Sequence, residues 1–457
     1  MENCSKDTIL EIEEHKKHNT LPPLTHFKHS IDHLLKSEKS LTIMFCINFF
    51  QSFQYYVLVT LIPLFFTNEL NFSDVQSGAI FGGLGILIGL ISLYLSSIMN
   101  TISLKRGLFI SAFLGIIGFT FFITRNLILS LIGIFIQAWS CAMSWPFIEY
   151  GIKMYSSAEF RNISSSCYFM TNYLAGIIAG ICIDGLRILF IDDTFVYSII
   201  YSICILFLVI SIGFTAACKD VENPDAEDLP IREVIGKKRF WRFGFLILLL
   251  ILLRSACFGH LDASLPKYMV RMHGEDANFG IMLTVHSITM LLGVFFLTTL
   301  AFSYTNYTLI ILGALIGTLG SLPLIFNSSM GSLTVFVVCV SVGESIWVPR
   351  LLDYTFSIAP EGHEGIYLAM SNCPFYFAMI LTGMSSGLLL DTFCPVYDKE
   401  FCSLIWVVVF FSGIVIPLAL FVLRSYIVQP ELEIHPDIQC IKNRLQKLED
   451  LEIDESS

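Results

Sequence analysis

The chain has 457 residues, of which 55% are hydrophobic and only 14% are charged, and its mean hydropathy is +0.72. Soluble domains average about a quarter charged residues, so this composition excludes an ordinary soluble protein and predicts a polytopic membrane protein. The formal net charge of -11 does not indicate a nucleic-acid partner, because the acidic residues are concentrated in the two tails and one loop.

Apolar runs long enough to cross a bilayer recur along the whole chain. A span needs roughly 17 to 25 predominantly apolar residues, and twelve runs of about that length are present. They lie near residues 41–67, 75–98, 107–124, 127–150, 164–186, 195–217, 244–268, 278–301, 306–326, 331–358, 364–391 and 402–426. We therefore expect an all-α membrane protein with twelve transmembrane helices.

The basic residues predict the orientation of these spans. Twelve spans place both termini on one face, and the tails and loops of that face hold 20 of the 27 lysines and arginines, whereas the opposite face holds five. Cytosolic loops carry the excess of basic residues in membrane proteins. Both termini are predicted to be cytosolic.

The two halves of the chain resemble each other. Gln51 stands twelve residues before Pro63 in the first span, and Arg254 stands twelve before Pro266 in the seventh. Two repeats of six helices are expected, with a substrate site at mid-depth between them. The predicted parts are an N-terminal tail (1–40), a first bundle (41–217), a cytosolic central loop (218–243), a second bundle (244–426) and a C-terminal tail (427–457).

Glu344, near the middle of the tenth span, is the first candidate for a ligand or proton site. A charged side chain at this depth costs roughly 3 kcal/mol or more, so it faces a protein-lined cavity and finds a partner. Arg254, at the repeat position of Gln51, supplies a cation at similar depth. The two side chains would bind the carboxylate and the amine of a zwitterion, or they would form a permanent salt bridge with each other.

Further candidates belong to the same spans. His260 and Asp262 join Glu344 as candidates for proton coupling, since a histidine near a carboxylate can titrate in the physiological range; a hydrogen-bonded packing role for the histidine is the alternative. Gln51, Tyr55, Tyr56 and Trp347 are predicted to line the cavity with Arg254 and Glu344, or else to pack in the core.

Three charged residues lie toward the inner ends of the fourth and tenth spans: Glu149, Arg350 and Asp353. We interpret them as a gate that breaks when the protein opens inward; simple solvation of helix ends is the alternative. The sequence shows no credible nucleotide, metal or nucleophile constellation, which predicts no enzyme activity, no cofactor and no metal. Cys394 and Cys402, which flank a short outer loop, are the only cysteines placed to pair.

Twelve spans, two repeats and a basic central loop resemble the major facilitator superfamily. Two stretches are similar to its proton-coupled oligopeptide transporter branch. The first, Asn48-Phe-Phe-Gln-Ser-Phe-Gln-Tyr-Tyr56, matches in register the branch's first-helix signature Glu-x-x-Glu-Arg-x-x-Tyr-Tyr. The second, Gly343-Glu344 followed by Pro349 and Ala359-Pro360, is similar to its tenth-helix pattern.

The first stretch departs from that signature at its charged positions. The two glutamates of the signature fall on Asn48 and Gln51, and its arginine falls on Ser52. These amides and this hydroxyl cannot titrate, so the proton coupling of the family through its first helix is not implied for this chain, and its peptide specificity is not implied either.

The sequence as a whole predicts a carrier that moves a small polar organic solute by alternating access. An amino-bearing acid, a short peptide or a similar solute is the preferred class, with protons as a second possible cargo. An uncoupled facilitator and a transport-inactive receptor or scaffold are the alternatives. The expected partners are the solute and the lipid bilayer, with no nucleic acid, and the expected state is a monomer.

Overall fold

The computed structural model describes most of the chain between its two tails. The described residues are 39–98, 102–156, 161–190, 195–219, 236–274, 277–300, 304–358, 364–397 and 399–428. Nearly all of both predicted tails, most of the central loop and Ala359-Pro360 therefore lie outside the described residues.

The described part is built from α-helices joined by short turns. In chain order the helices are α1 (Lys39–Asn68), α2 (Asp74–Ile98), α3 (Leu104–Ile123), α4 (Leu127–Tyr155), α5 (Arg161–Leu189), α6 (Val196–Ala217), α7 (Lys238–Leu253), α8 (His260–Ala263), α9 (Leu265–His273), α10 (Phe279–Leu300), α11 (Asn306–Leu319), α12 (Leu322–Phe326), α13 (Met330–Ile358), α14 (Glu364–Phe393), α15 (Leu404–Val422) and α16 (Arg424–Ile427).

These helices supply the predicted membrane segments. Eleven helical stretches of the described residues are long and apolar enough to cross a membrane. The remaining predicted span corresponds to α10, whose described apolar part is the shorter stretch Phe279–Val294. The segment after the central loop is composite, since α7, α8 and α9 follow one another, and α11 and α12 together form the ninth segment. The all-α membrane fold is thus as predicted.

The seventh segment is irregular at mid-depth. Between α7 and α8 the chain forms one turn of π-helix, Arg254–Phe258, in which the Gly259 amide donates to the Arg254 carbonyl oxygen five residues earlier (2.7 Å). A second interruption at Ser264 separates α8 from α9. Single π-turns are frequent at functional sites, and broken helices in transporters line their binding sites. This irregularity places Arg254 at the centre of the molecule.

Taken together, α1 to α6 pack mainly among themselves, and so do α7 to α15, although the most extensive contacts of α2 and α14, and of α5 and α10, are with each other. The two groups meet through α2 against α14 and through α5 against α10. Helices α2 and α14 belong to the second and eleventh membrane segments, and α5 and α10 to the fifth and eighth. A repeat of six segments relates the second to the eighth and the fifth to the eleventh, so the two contacts are equivalent under the repeat. The packing therefore agrees with two pseudo-symmetric bundles, while the exact bounds of the bundles and of the central loop stay predictions.

Glycines permit the close contact between α2 and α14. A Cβ atom on Gly78 would lie 2.1 Å from the carbonyl oxygen of Gly383, and one on Gly387 would lie 2.7 Å from that of Asp74. Small residues let membrane helices approach backbone to backbone. Along this seam the bundles touch from the start of α2 to its middle.

The turn after α14 contains a disulfide. Cys394 and Cys402 are bonded, with Cα atoms 4.4 Å apart, and join the end of α14 to the region before α15. This pairing, which the sequence only made possible, closes the turn on the predicted outer face.

The orientation of the bundles in the membrane stays a prediction, and glycosylation tests it. Asn71-Phe-Ser73 and Asn327-Ser-Ser329 are acceptor sequons whose asparagines are exposed at the face opposite the predicted cytosolic side. Asn306-Tyr-Thr308 starts α11 on the other side. In cells that glycosylate we expect an endoglycosidase-sensitive mass shift that Asn327→Gln removes.

A glycan on Asn306 would reverse the assigned orientation. The same holds for Asn162, which lies where side chains are outside the described part. An unmodified Asn71 is compatible with either orientation, because this sequon lies close to the membrane.

Candidate functional site

A buried ion pair occupies the centre of the C-terminal bundle. The Arg254 guanidinium, on the π-turn, donates from Nη1 to Oε1 of Glu344 on α13. Only 5% of Glu344 is exposed. The guanidinium carbon also lies 4.8 Å from the ring centroid of Phe375 on α14, a cation–π contact. Of the two alternatives that the sequence left open, a shared ligand or a salt bridge, the pair forms the salt bridge in this state; a ligand role for either residue stays a prediction.

His286 of α10 completes the surroundings of Glu344. Its Nε2 lies 3.9 Å from Oε2 of Glu344, and its Nδ1 shares a hydrogen bond with the Ser341 hydroxyl (2.8 Å). The carboxylate of Glu344 therefore connects α10, α13 and the π-turn.

A small central cavity adjoins this pair. Its walls come from both bundles and consist of Tyr55, Val59, Phe81, Arg254, Gly259, Asp262, Phe375, Ala378, Met379 and Thr382. A second cavity beside it shares Asp262. Each has room for about one water molecule. In this state the site is contracted.

Aromatic side chains close the cavity on its predicted inner side. The ring centroids of Tyr55 and Trp145 are 4.7 Å apart, and those of Trp145 and Tyr376 are 6.0 Å apart. Tyr55 and Trp145 belong to the first bundle and Tyr376 to the second. These three rings bridge the bundles at the cavity floor.

Asp74 forms a charged cluster at the predicted outer side. Its Oδ1 accepts from Nζ of Lys267 (2.9 Å) and its Oδ2 accepts from Nη2 of Arg271. Arg271 also donates to the carbonyl oxygens of Leu390 and Cys394, and Lys267 to Thr67 Oγ1 (2.6 Å). The cluster ties α2 to α9 and to the end of α14, across the two bundles.

A second cross-bundle contact involves Asp184 of α5. Its carboxylate accepts from the backbone amides of Gly280 (2.9 Å) and Ile281 (2.6 Å), at the start of α10. The free amides and the dipole of a helix N-terminus favour an acidic group there. Arg187 adds a hydrogen bond to the Ala277 carbonyl oxygen (3.0 Å). Together, the Asp74 and Asp184 contacts close the predicted outer side.

Neutralising Asp74 should loosen this closure. In the Asp74→Asn variant two cations lose their shared anion, and a buried ion pair broken on one side costs about 3 to 5 kcal/mol. We expect faster hydrogen–deuterium exchange at the outer ends of α2, α9 and α14, measured by mass spectrometry.

Glu69→Gln is the matched control. Glu69 also lies at the outer face, but its ion pair with Arg125 (3.2 Å) stays within the first bundle. Unchanged exchange in Asp74→Asn, or equal changes in both variants, would show that Asp74 does not hold the bundles together.

The first-helix amides are engaged in different ways. Asn48 donates to the Tyr168 carbonyl oxygen (3.0 Å) and to Thr171 Oγ1 (2.7 Å), and Ser52 donates to Asn48 Oδ1 (3.3 Å). Gln51 is fully buried, and neither polar atom of its side chain has a hydrogen-bond partner among the described residues. Asn48 thus joins α1 to α5 and Ser52 supports Asn48 from one turn along α1, whereas Gln51 keeps unused hydrogen-bonding capacity.

The other predicted cavity residues occupy varied positions. Tyr55 lines the cavity. Tyr56 lies toward α5, its ring 3.1 Å from where a Cβ of Gly176 would be. Trp347 is fully buried and stacks on Phe375 with centroids 5.9 Å apart, so it packs behind the ring that holds Arg254.

The two remaining proton candidates differ sharply. His260 Nδ1 shares a hydrogen bond with the Ser264 hydroxyl (2.6 Å), which donates onward to Ser386 (2.8 Å). Asp262, two residues along, borders both cavities. Its carboxylate makes no hydrogen bond or ion pair within the described residues, although it attracts Arg254 at longer range.

The structure describes two of the three predicted gate residues with their side chains. Glu149 Oε1 accepts from the hydroxyl of Tyr168 (3.2 Å) within the first bundle. Arg350 lies on α13 toward the inner end, and the side chain of Asp353 lies outside the described part. The gate role of these three residues stays a prediction.

Sequence reasoning did not single out the outer cluster or the contact of Trp145 with Tyr376. For the cluster, the available signal was the spacing of four residues between Lys267 and Arg271, which places both on one helical face. Trp145, like Tyr55, was a candidate either to line the cavity or to pack, but its contact with Tyr376 forms only where the two bundles meet.

Comparison with known proteins identifies the family of the chain. The model of the Major Facilitator Superfamily matches residues 44–384. The fold and a central site between two bundles define a multi-pass membrane transporter, not an enzyme. The chain belongs to the major facilitator superfamily. No curated protein sequence matches it.

Solved structures share the fold at low sequence identity. A POT family transporter in complex with 5-aminolevulinic acid is 13% identical, with a TM-score of 0.70 over 85% of this chain and 96% of the other. A proton-dependent oligopeptide transporter is 13% identical, with a TM-score of 0.69 over 85% and 99%. The nucleoside transporter NupG is 12% identical, with a TM-score of 0.65 over 85% and 100%. At these identities the likeness concerns the fold alone.

Proposed function

We propose that this protein carries a small, polar, amino-bearing organic solute, such as an amino acid or a short peptide, across a membrane by alternating access. The observation that supports this most is the contracted cavity that both bundles line, closed on one side by the Asp74 and Asp184 contacts and on the other by Tyr55, Trp145 and Tyr376. Alternate release of two such closures moves a solute from one face to the other.

The chemistry of the walls supports the solute class. Charged side chains, Arg254 and Asp262, reach the cavity beside aromatic rings and the Thr382 hydroxyl. Charged groups are retained in a membrane interior where they serve a pathway or a ligand. The similar structure with bound 5-aminolevulinic acid shows that a protein of this fold accommodates an amino acid.

Uptake by purified protein in sealed proteoliposomes tests this function. The solutes are amino acids, short peptides and, because of the fold shared with a nucleoside transporter, nucleosides. We expect saturable uptake of at least one amino-bearing solute. Its absence for all three classes would contradict a carrier of this kind and would favour a receptor or scaffold with the same fold.

Proton coupling, if present, runs through the second bundle. Asn48, Gln51 and Ser52 cannot titrate, whereas Glu344 lies between Arg254 and His286. We expect solute uptake to raise the external pH of lightly buffered vesicles. A pH electrode in the vesicle suspension measures it.

An uncoupled facilitator is the second candidate, and the neutral groups on α1 favour it. Saturable uptake that leaves the external pH constant, and that does not accumulate solute when a pH gradient is imposed, would establish the facilitator. Either result is compatible with the carrier itself.

A further inference from the structure

The charges around the cavity do not balance. The described cluster at mid-depth holds one guanidinium, Arg254, and two carboxylates, Glu344 and Asp262. Arg254 is in direct contact with Glu344 and not with Asp262. Asp262 is therefore the carboxylate without a bonded cation among the described residues.

The neighbouring groups do not supply a cation that bonds to Asp262. His260 is bound to Ser264, and His286 faces Glu344 and Ser341. The first bundle contributes only uncharged side chains to the walls of both cavities: Tyr55, Val59, Thr60 and Phe81. Glu149, nearer the inner end, bonds to Tyr168. Of the described residues that line the cavities, Arg254 is the one cation, and Glu344 holds it.

The remaining walls favour a cation as the guest. Tyr55, Phe81 and Phe375 present aromatic rings beside Asp262, and aromatic faces attract ammonium and guanidinium groups. Phe375 already holds one such group, because Arg254 lies over it. A carboxylate in this place would face Asp262 and would have to take Arg254 from Glu344.

We infer that Asp262 binds the cationic amino group of the solute, and that a carboxylate on the solute is dispensable because Arg254 is already neutralised by Glu344. This rests on the proposed carrier function and narrows its substrates to amines with a positive charge. Asp262 thereby acts as the residue that selects solutes by charge, whereas the ion pair of Arg254 and Glu344 holds the helices around the site and does not need to bind the solute.

A matched set of probes tests the inference: alanyl-alanine, its C-terminally amidated form, which lacks the carboxylate, and its N-acetylated form, which lacks the cation. Alanine, its amide and N-acetylalanine repeat the comparison at smaller size. Binding is read as thermal stabilisation of the purified full-length protein, and transport as uptake into proteoliposomes. We expect the free and amidated forms to bind alike and acetylation to weaken binding about ten-fold or more.

Variants assign the effect to Asp262. Asp262→Asn should weaken binding of the amines about ten-fold or more and leave the acetylated forms unchanged, whereas Asp262→Glu, which keeps the charge, should retain amine binding even if Asp262→Asn does not fold. Asp391→Asn is the control, since Asp391 is an exposed acid at the outer end of α14, and amine binding should be normal in it.

The two readouts separate the inference from the proposed function. Uptake of acetylated peptides or of a nucleoside without any preference for amines would overturn the inference and leave the carrier intact. Amine binding that depends on Asp262 but leads to no uptake would support the inference and contradict the carrier. Neither binding nor uptake of any probe would contradict both.

Discussion

Glu344→Gln should abolish transport and destabilise the protein. The substitution keeps the shape of the side chain but leaves the buried Arg254 guanidinium without its anion, and an unpaired buried charge costs about 3 to 5 kcal/mol. Glutamine also cannot exchange a proton. We expect uptake to fall about 100-fold or more, which corresponds to about 3 kcal/mol, and the melting temperature of the purified protein to drop.

Removing both charges separates the two effects. The double variant Arg254→Gln with Glu344→Gln leaves neither member of the pair without its partner, so part of the lost stability should return while transport stays lost. Residues in direct contact give non-additive changes in a double-mutant cycle. Normal uptake by a correctly inserted Glu344→Gln protein would exclude both a ligand role and a proton role, and strictly additive effects would exclude the pair as a functional unit.

The sequence was sufficient to predict the fold because the membrane imposes a simple rule. A bilayer requires long apolar helices, and the number, order and repeat of those helices can be counted directly from the residues. The α10 segment was the weakest match, since its described apolar part, Phe279–Val294, is shorter than the other spans.

The sequence predicted only those residues of the candidate site whose charge is energetically costly inside a membrane. Glu344 and Arg254 are energetically costly at mid-depth, so each was identified alone. The repeat position placed Arg254 on the side of the cavity, but it left open whether the two residues contact each other. Asp262 was recognised as titratable, but its lack of a bonded partner depends on the π-turn at Arg254–Phe258, which turns the following residues, and no residue pattern indicates such a turn.

The glycines of α2 are a second case in which the sequence shows a feature but not its partner. A glycine-rich run starts at Gly78 in the sequence, and small residues let membrane helices pack closely, but such a run does not identify the partner helix. That partner is α14, which follows Gly78 by about 300 residues, and the contact is set by how the two bundles dock. Docking geometry is a property of both surfaces together, so it became visible only in the structure.

Gly78→Ala should prevent the closed outer arrangement described here. The new methyl group would lie 2.1 Å from the carbonyl oxygen of Gly383, a backbone atom that cannot move without displacing α14. Overpacking of this kind costs about 3 kcal/mol, which shifts an open–closed equilibrium about 100-fold toward the outward-open state. Because every transport cycle passes through outer closure, uptake should fall by a comparable factor.

Gly83→Ala on the same helix is the matched control, since a Cβ atom there meets nothing within 4 Å. The two variants add the same methyl group and have the same helix propensity, so they differ only in the contact with α14. We expect faster hydrogen–deuterium exchange at the outer ends of α2 and α14 in Gly78→Ala and not in Gly83→Ala, together with slow and normal uptake respectively. Equal uptake and equal exchange in the two variants would contradict this prediction. That result would mean that the bundles tolerate a methyl group between Gly78 and Gly383, so the close backbone contact there is not needed in the transport cycle.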